Sequence, residues 1–93
     1  MTKIEITHKL YGTQVKYGYI WWRAERDDEF RKLFPKNEFT VEIHGKKIEK
    51  RKVDWKKRRL MLGAVLKQFF KKDEIIVLSK DKKNPKIIRI RKK

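Results

Sequence analysis

Cysteine is absent from the 93 residues, which excludes a disulfide framework and any thiolate metal site. Proline occurs twice and glycine four times. With no low-complexity linker and no internal repeat, nothing divides the chain, and a single domain over residues 1–93 is expected. Long apolar runs are missing as well. No stretch approaches the roughly twenty apolar residues of a membrane-spanning helix. Met1 to Leu10 also lack the apolar run of a secretory signal. These absences predict a soluble, cytoplasmic protein.

Acid is scarce too. Asp and Glu number 12 against 28 Lys and Arg, a net charge of +16 at pH 7. Ion-pair networks of heat-stable proteins need both signs in rough balance. Here the surplus has no internal partner, and its self-repulsion weakens the compact state. A polyanion that neutralises it is the simplest explanation, and nucleic acid is the commonest such partner. An acidic membrane surface would instead ask for a long amphipathic helix with a bulky apolar face, which the sequence does not contain.

Apolar residues make up 39% of the chain, aromatics 12%. A chain of this size buries roughly two-thirds of its unfolded surface, so one modest core is feasible. Ile4, Ile6, His8 and Leu10 alternate with Lys3, Glu5, Thr7 and Lys9, the pattern of a half-buried strand. Gly12 to Gly18 reads as a glycine-bounded loop or arm. Tyr19 to Arg23 is apolar and aromatic on both parities and is expected as a central strand. Between Glu25 and Phe34 the period changes: Phe30, Leu33 and Phe34 share a helical face, acids load the start, bases load the end, and Pro35 stops the helix.

Phe39, Val41 and Ile43 alternate again, and His44-Gly45-Lys46 makes a tight turn. Ile48 and Val53 have opposite parity, so the return strand is expected to bulge or end early. Leu60 to Leu62 form a short strand ended by Gly63, and Leu66, Phe69 and Phe70 repeat the helical spacing over Ala64 to Phe70. Ile75 to Leu78 read as a buried strand, Lys80 to Pro85 as a polar turn, and Ile87 to Ile90 as a last strand. The predicted fold is mainly β with two short helices, a small seven-stranded open pseudobarrel with its ends plugged by the helices.

Three segments carry a family resemblance. Gly18-Tyr19-Ile20-Trp21-Trp22 precedes a helix ending Phe30-Arg31-Lys32-Leu33-Phe34-Pro35; Phe39 to Ile48 form a hairpin with a glycine turn; and Leu62 to Phe70 lead into Lys72-Asp73-Glu74 and an apolar strand. In this order they resemble the DNA-binding pseudobarrel superfamily, which includes the B-three type domains of plant transcription factors and the target-recognition domains of some bacterial restriction endonucleases. Leu66 stands where that family often carries a helix tryptophan, and Lys72 where glycine usually precedes the aspartate. The resemblance implies a grip on the DNA major groove by two arms, mapped here to Thr13–Tyr19 and Val53–Arg59. It also implies that such a module can belong to a larger restriction or regulatory protein.

The residues themselves point to the second arm. Lys46 to Arg59 contain nine basic residues and two acids, a local charge of +7. Each one placed on a phosphate releases a condensed counterion; the plainer reading is a solvated hairpin. Lys46, Lys47, Lys50, Lys52, Lys57 and Arg59 are the candidates for phosphate, and Trp55, Lys56 and Arg58 for base edges. Trp55 can stack on a base or anchor its loop to the core. On the other arm Thr13, Gln14, Lys16 and Tyr17 have the chemistry of base-edge readout, since Gln pairs bidentately with adenine and Lys donates to guanine; an ordinary polar turn would look the same. The cluster Tyr17, Tyr19, Trp21 and Trp22 reads as core, the alternative being a base-stacking platform, with Tyr17 in the glycine-bounded loop the exception. Arg89, Arg91, Lys92 and Lys93 read as a charged edge strand and frayed end.

Catalytic signals are weak. Asp54-Trp55-Lys56, with Glu38 or Glu42, has the spacing of a nuclease metal site, but such sites need carboxylates converging on the metal. His8 and His44 lie on different elements, and His8 falls on the apolar parity of its strand. The sequence therefore predicts a double-stranded DNA-binding module with no catalytic residues, metal or cofactor. The alternatives are an RNA-binding small β-barrel protein and a small metal-dependent nuclease.

Overall fold

The alternation at the start of the chain becomes strand β1 (Glu5–Lys9) in a computed structural model that describes residues 4–93. β1 is one edge of a five-stranded sheet in the order β1-β6-β7-β3-β4, built with β3 (Phe39–Ile43), β4 (Lys46–Arg51), β6 (Ile75–Lys80) and β7 (Ile87–Lys92). All pairings are antiparallel except β3 with β7. The remaining strands, β2 (Tyr19–Trp21) and β5 (Arg59–Met61), form a separate antiparallel ribbon. The fold is thus mainly β, with seven strands among the described residues, and the sheet is open.

Helix α1 (Gly12–Tyr17) replaces the expected loop, so there are three α-helices where two were predicted. Its last turn closes on Gly18, which has φ +73° and whose N–H donates to the Gln14 carbonyl, a left-handed C-cap. α2 (Asp27–Leu33), entered through a 3₁₀ turn at Ala24–Arg26, opens with Asp27, Asp28 and Glu29 and closes with Arg31 and Lys32, in line with the helix dipole. α3 (Ala64–Phe69) follows Gly63, whose φ of 76° with ψ of −154° is accessible only to glycine.

Aromatic stacking ties these elements together. Trp22 lies parallel to Phe30 at 4.1 Å, Phe30 meets Phe34 at 5.8 Å, and Phe34 meets Phe39 at 5.3 Å. This row runs from the end of the ribbon across α2 to β3. The Trp22 indole N–H, buried with its ring, donates to Asp27 Oδ1 at 2.9 Å. That hydrogen bond, ahead of the Arg31 contact, holds the Asp27 carboxyl below its usual range.

His44 and Gly45, with φ of 49° and 84°, make a two-residue turn whose positive φ pair suits the twist of the β3–β4 hairpin. The expected irregularity in the return strand is present. Pairing shifts between Phe39↔Arg51 and Val41↔Ile48, so Glu49 and Lys50 oppose Thr40, with Lys50 at φ +56°. β4 then ends at Arg51.

Two sequence expectations are overturned. β2 is not a central strand, and only its Ile20 and the following Trp22 enter the core; Tyr19 is half-buried and Trp21 exposed. β7 is not an edge: it lies between β6 and β3, and the N–H of Lys93 donates to the Ile75 carbonyl rather than fraying. Arg89 binds Asp81 at 2.8 Å and Glu42 at 3.4 Å, while Arg91 binds Glu5 at 3.4 Å, so these arginines knit the sheet's outer face. Among the described residues, no helix is long and apolar enough to cross a membrane.

Candidate nucleic-acid interface

β4 is the second edge of the sheet, and its sequence loads that edge with charge. Lys46, Lys47, Lys50 and Lys52 are all exposed. The chain then makes a closed hairpin in which Asp54 and Arg59 form a β-bridge, with Asp54 N–H to Arg59 O at 2.9 Å and the return bond at 3.2 Å. Asp54 Oδ1 accepts from the Lys57 N–H at 3.1 Å, and Arg58 takes φ +54° to complete the turn. Lys56 and Lys57 are exposed at its tip. Arg51 bridges β4 to the ribbon by donating to the Met61 carbonyl at 3.3 Å.

The ion pairs leave this edge alone. Among the described residues they take Arg26, Arg31, Arg89, Arg91 and Lys92, and none takes a base between Lys46 and Arg59. Arg58 is half-buried and adds to the positive field on Asp27. The Nε atoms of Arg58 and Arg59 are buried with no hydrogen-bond partner.

Trp55 is an anchor. Its ring meets Trp22 edge-on at 5.8 Å, and the Arg31 guanidinium covers it at 4.9 Å. Arg58 is half-buried as well, leaving Lys56 as the base-edge candidate of this hairpin that is freely exposed.

The first arm is not an arm. Gln14 is 4% exposed, on the inner face of α1 beside Val15. Its Oε1 takes hydrogen bonds from His8 Nε2 at 3.0 Å and from the Trp21 backbone N–H at 3.1 Å. Arg26 donates to His8 Nδ1 at 3.2 Å, so the imidazole is neutral with its proton on Nε2. Burial, outweighing the Gln14 hydrogen bond and reinforced by the Arg26 charge, lowers the His8 pKa from 6.5. Gln14 is therefore a structural link between β1, α1 and β2 and does not project from the surface as an arm residue would. Thr13, Lys16 and Tyr17 remain on the outer side of α1, with the Lys16 ammonium 5.4 Å from the Tyr17 ring.

The ribbon's outer face carries residues that the sequence assigned to the core or passed over. Tyr19 stands opposite Met61 and Trp21 opposite Arg59, with the Arg59 guanidinium 5.7 Å from the Tyr19 ring. Tyr11 is 54%, Tyr17 58% and Trp21 38% exposed. Between α1 and β2 lies an open groove of about 360 Å³, lined by Tyr11, Thr13, Gln14, Tyr19, Trp21 and Arg23. The available signal was parity: once Ile20 and Trp22 face inward, Tyr19 and Trp21 must face out.

Two of the three carboxylates considered for metal are engaged in the fold. Asp54 caps its hairpin, and Glu42 pairs with Arg89. Among the described residues, no three His, Asp or Glu side chains gather to hold an ion. Comparison with protein-family models, with curated proteins and with solved structures found no match.

Proposed function

We propose that the chain is a binding module for duplex DNA, held by its phosphates along β4 and the β4–β5 hairpin, with no catalysis of its own. One observation carries the reading: the most basic stretch of the sequence forms one exposed edge from which every ion pair is absent among the described residues. The six residues of β4 extend roughly 20 Å, enough to reach both phosphate walls of a major groove about 12 Å wide. Phosphate contacts made there position the protein and supply most of the affinity. The seven strands and packed helices support the open-pseudobarrel reading, in which the hairpin at Asp54–Arg59 is the projecting element. On the first arm, the outer faces of Thr13, Lys16 and Tyr17 are what remains to meet DNA. A module of this kind suits a restriction or regulatory assembly.

The salt dependence of duplex binding tests the reading. With about five phosphates contacted, log affinity against log salt falls with a slope near −4.5. Lys47→Ala, Lys50→Ala and Lys52→Ala each reduce that slope by about one and weaken all sequences alike. A flat response, or no duplex binding at about 50 mM salt, overturns it.

A further inference from the structure

We propose that the groove between α1 and β2 holds one unpaired nucleobase, displaced from or unstacked within the DNA bound along β4. This rests on the reading of the chain as a nucleic-acid binder and assigns it a second, chemically different subsite.

The lining argues for a flat aromatic guest. Tyr11, Tyr19 and Trp21 share the groove, and two of these rings are well exposed in a chain with an otherwise closed core. Apolar side chains gathered into one exposed patch with a polar rim mark an interaction site. Every base has a π-face, so such rings accept bases by stacking without regard to sequence. The groove's volume, about 360 Å³, lies within the range of small-ligand sites.

Charge at the rim argues that the guest arrives on a polyanion. The Lys9 ammonium stands 5.4 Å from the Tyr11 ring, the Arg59 guanidinium flanks Tyr19, and Arg23 lines the groove itself. A base entering between them brings a phosphate on either side to these cations. The groove is also tied to the basic edge, because its wall β2 pairs with β5, the strand that leaves the charged hairpin.

The polar groups face a base edge in fixed roles. The Trp21 backbone N–H can only donate, so the Gln14 atom it meets is the oxygen, and His8 Nε2–H donates to the same atom. With its oxygen used twice, Gln14 has only its amide N–H groups to offer a guest. Thr13 adds a hydroxyl and Arg23 further donors. The site is therefore rich in donors, which suits the ring nitrogens and carbonyl oxygens of a base.

The experiment compares four probes of matched sequence: a fully paired DNA duplex, the same duplex with one extrahelical adenine, single-stranded DNA and single-stranded RNA. The wild-type protein should bind the bulged duplex about 5- to 150-fold more tightly than the paired one. Trp21→Leu and Tyr11→Leu should each erase this preference, bringing the bulged duplex to the affinity of the paired one, whereas Lys47→Ala should weaken both and keep the preference. Single strands that outbind the bulged duplex with the same dependence on Trp21 also support the groove, and identify a single strand as the base's source. Equal wild-type affinity for paired and bulged duplexes overturns this inference alone, leaving the phosphate-holding edge intact. Loss of dimer on Trp21→Leu in size-exclusion chromatography also overturns it, since the rings would then meet a second copy. Binding to none of the probes overturns both readings.

Discussion

Gly18 sits where two chain segments touch, and the cost of giving it a side chain follows from the geometry. A Cβ there would stand 2.3 Å from the Gly63 carbonyl oxygen, 2.6 Å from its carbon and 2.8 Å from its Cα. All three atoms are backbone, so no rotamer change relieves the clash, and the segments must part by about 1 Å to restore ordinary contact. The move stretches two hydrogen bonds to the Gly18 carbonyl, from Leu62 N–H at 2.7 Å and Gly63 N–H at 2.8 Å. Each is worth about 1 kcal/mol. The left-handed φ of 73° adds about 1–2 kcal/mol for an L-residue. Gly18→Ala should therefore cost about 3–4 kcal/mol. Gly45→Ala is the internal control: φ is +84°, but no atom lies within 4 Å, so only the conformational term of about 1–2 kcal/mol applies. Urea unfolding followed by circular dichroism measures both. For a domain of this size the gap of about 2 kcal/mol separates the melting temperatures by roughly 8–16 °C. Equal losses for the two variants would refute the close approach of α1 to the start of α3.

Two further predictions concern His8 and Trp55. The folded protein lowers the His8 pKa below 6.5, so the unfolded chain binds the proton more readily. The stabilisation is complete above pH 6.5 and declines as pH falls toward the folded value, with a limiting slope of about 1.4 kcal/mol per pH unit. Denaturant titrations between about pH 5 and 7 should show this decline in the wild type but not in His8→Gln, which keeps a donor for Gln14; equal slopes refute the neutral buried imidazole. Trp55→Ala should lower stability by about 2 kcal/mol, less than for a fully buried tryptophan, and leave duplex affinity nearly unchanged. A large affinity loss with intact stability would make Trp55 a base-stacking residue after all.

Much of the fold was legible because its elements are locally consistent. The alternation of β1 and β3, the charge gradient and Pro35 around α2, and the parity break after Ile48 all appear in the structure where residue spacing put them. α1 was hidden for a physical reason. Its buried face is Gln14 and Val15, adjacent and half polar, so no apolar i, i+3, i+4 pattern exists, and the glycines at each end look like loop boundaries. Tyr19 to Trp22 are aromatic or aliphatic at every position, so composition alone could not separate the outward from the inward parity. Arg89 and Arg91 resemble edge protection because the partners that place them inside the sheet come from far along the chain: Glu42 and Glu5 lie 47 and 86 residues away, although Arg89 also holds the nearby Asp81.

The same long-range accounting explains why the charge surplus surfaces where it does. Seven of the 12 acids are occupied in building the fold, Glu5 and Glu42 among them. Asp27 holds Trp22 and Arg31, and Glu29 holds Arg26. Asp81 accepts from the Lys83 and Asn84 N–H groups while gripping Arg89, and Glu74 caps Lys71 and pairs with Lys92. In Asp81 and Glu74 the backbone hydrogen bonds, first among their partners, keep the carboxyls well ionised. Asp54 is spent on its own hairpin turn. A carboxylate committed to backbone N–H groups and arginine forks cannot also neutralise a distant lysine edge, because Coulomb attraction through water fades within about 8–10 Å at physiological salt. The stretch from Lys46 to Arg59, with nine bases and two acids, therefore keeps a local charge of +7 out of the chain's +16, because the committed acids other than Asp54 lie elsewhere. On the proposed reading, this local density is the face that a polyanion meets.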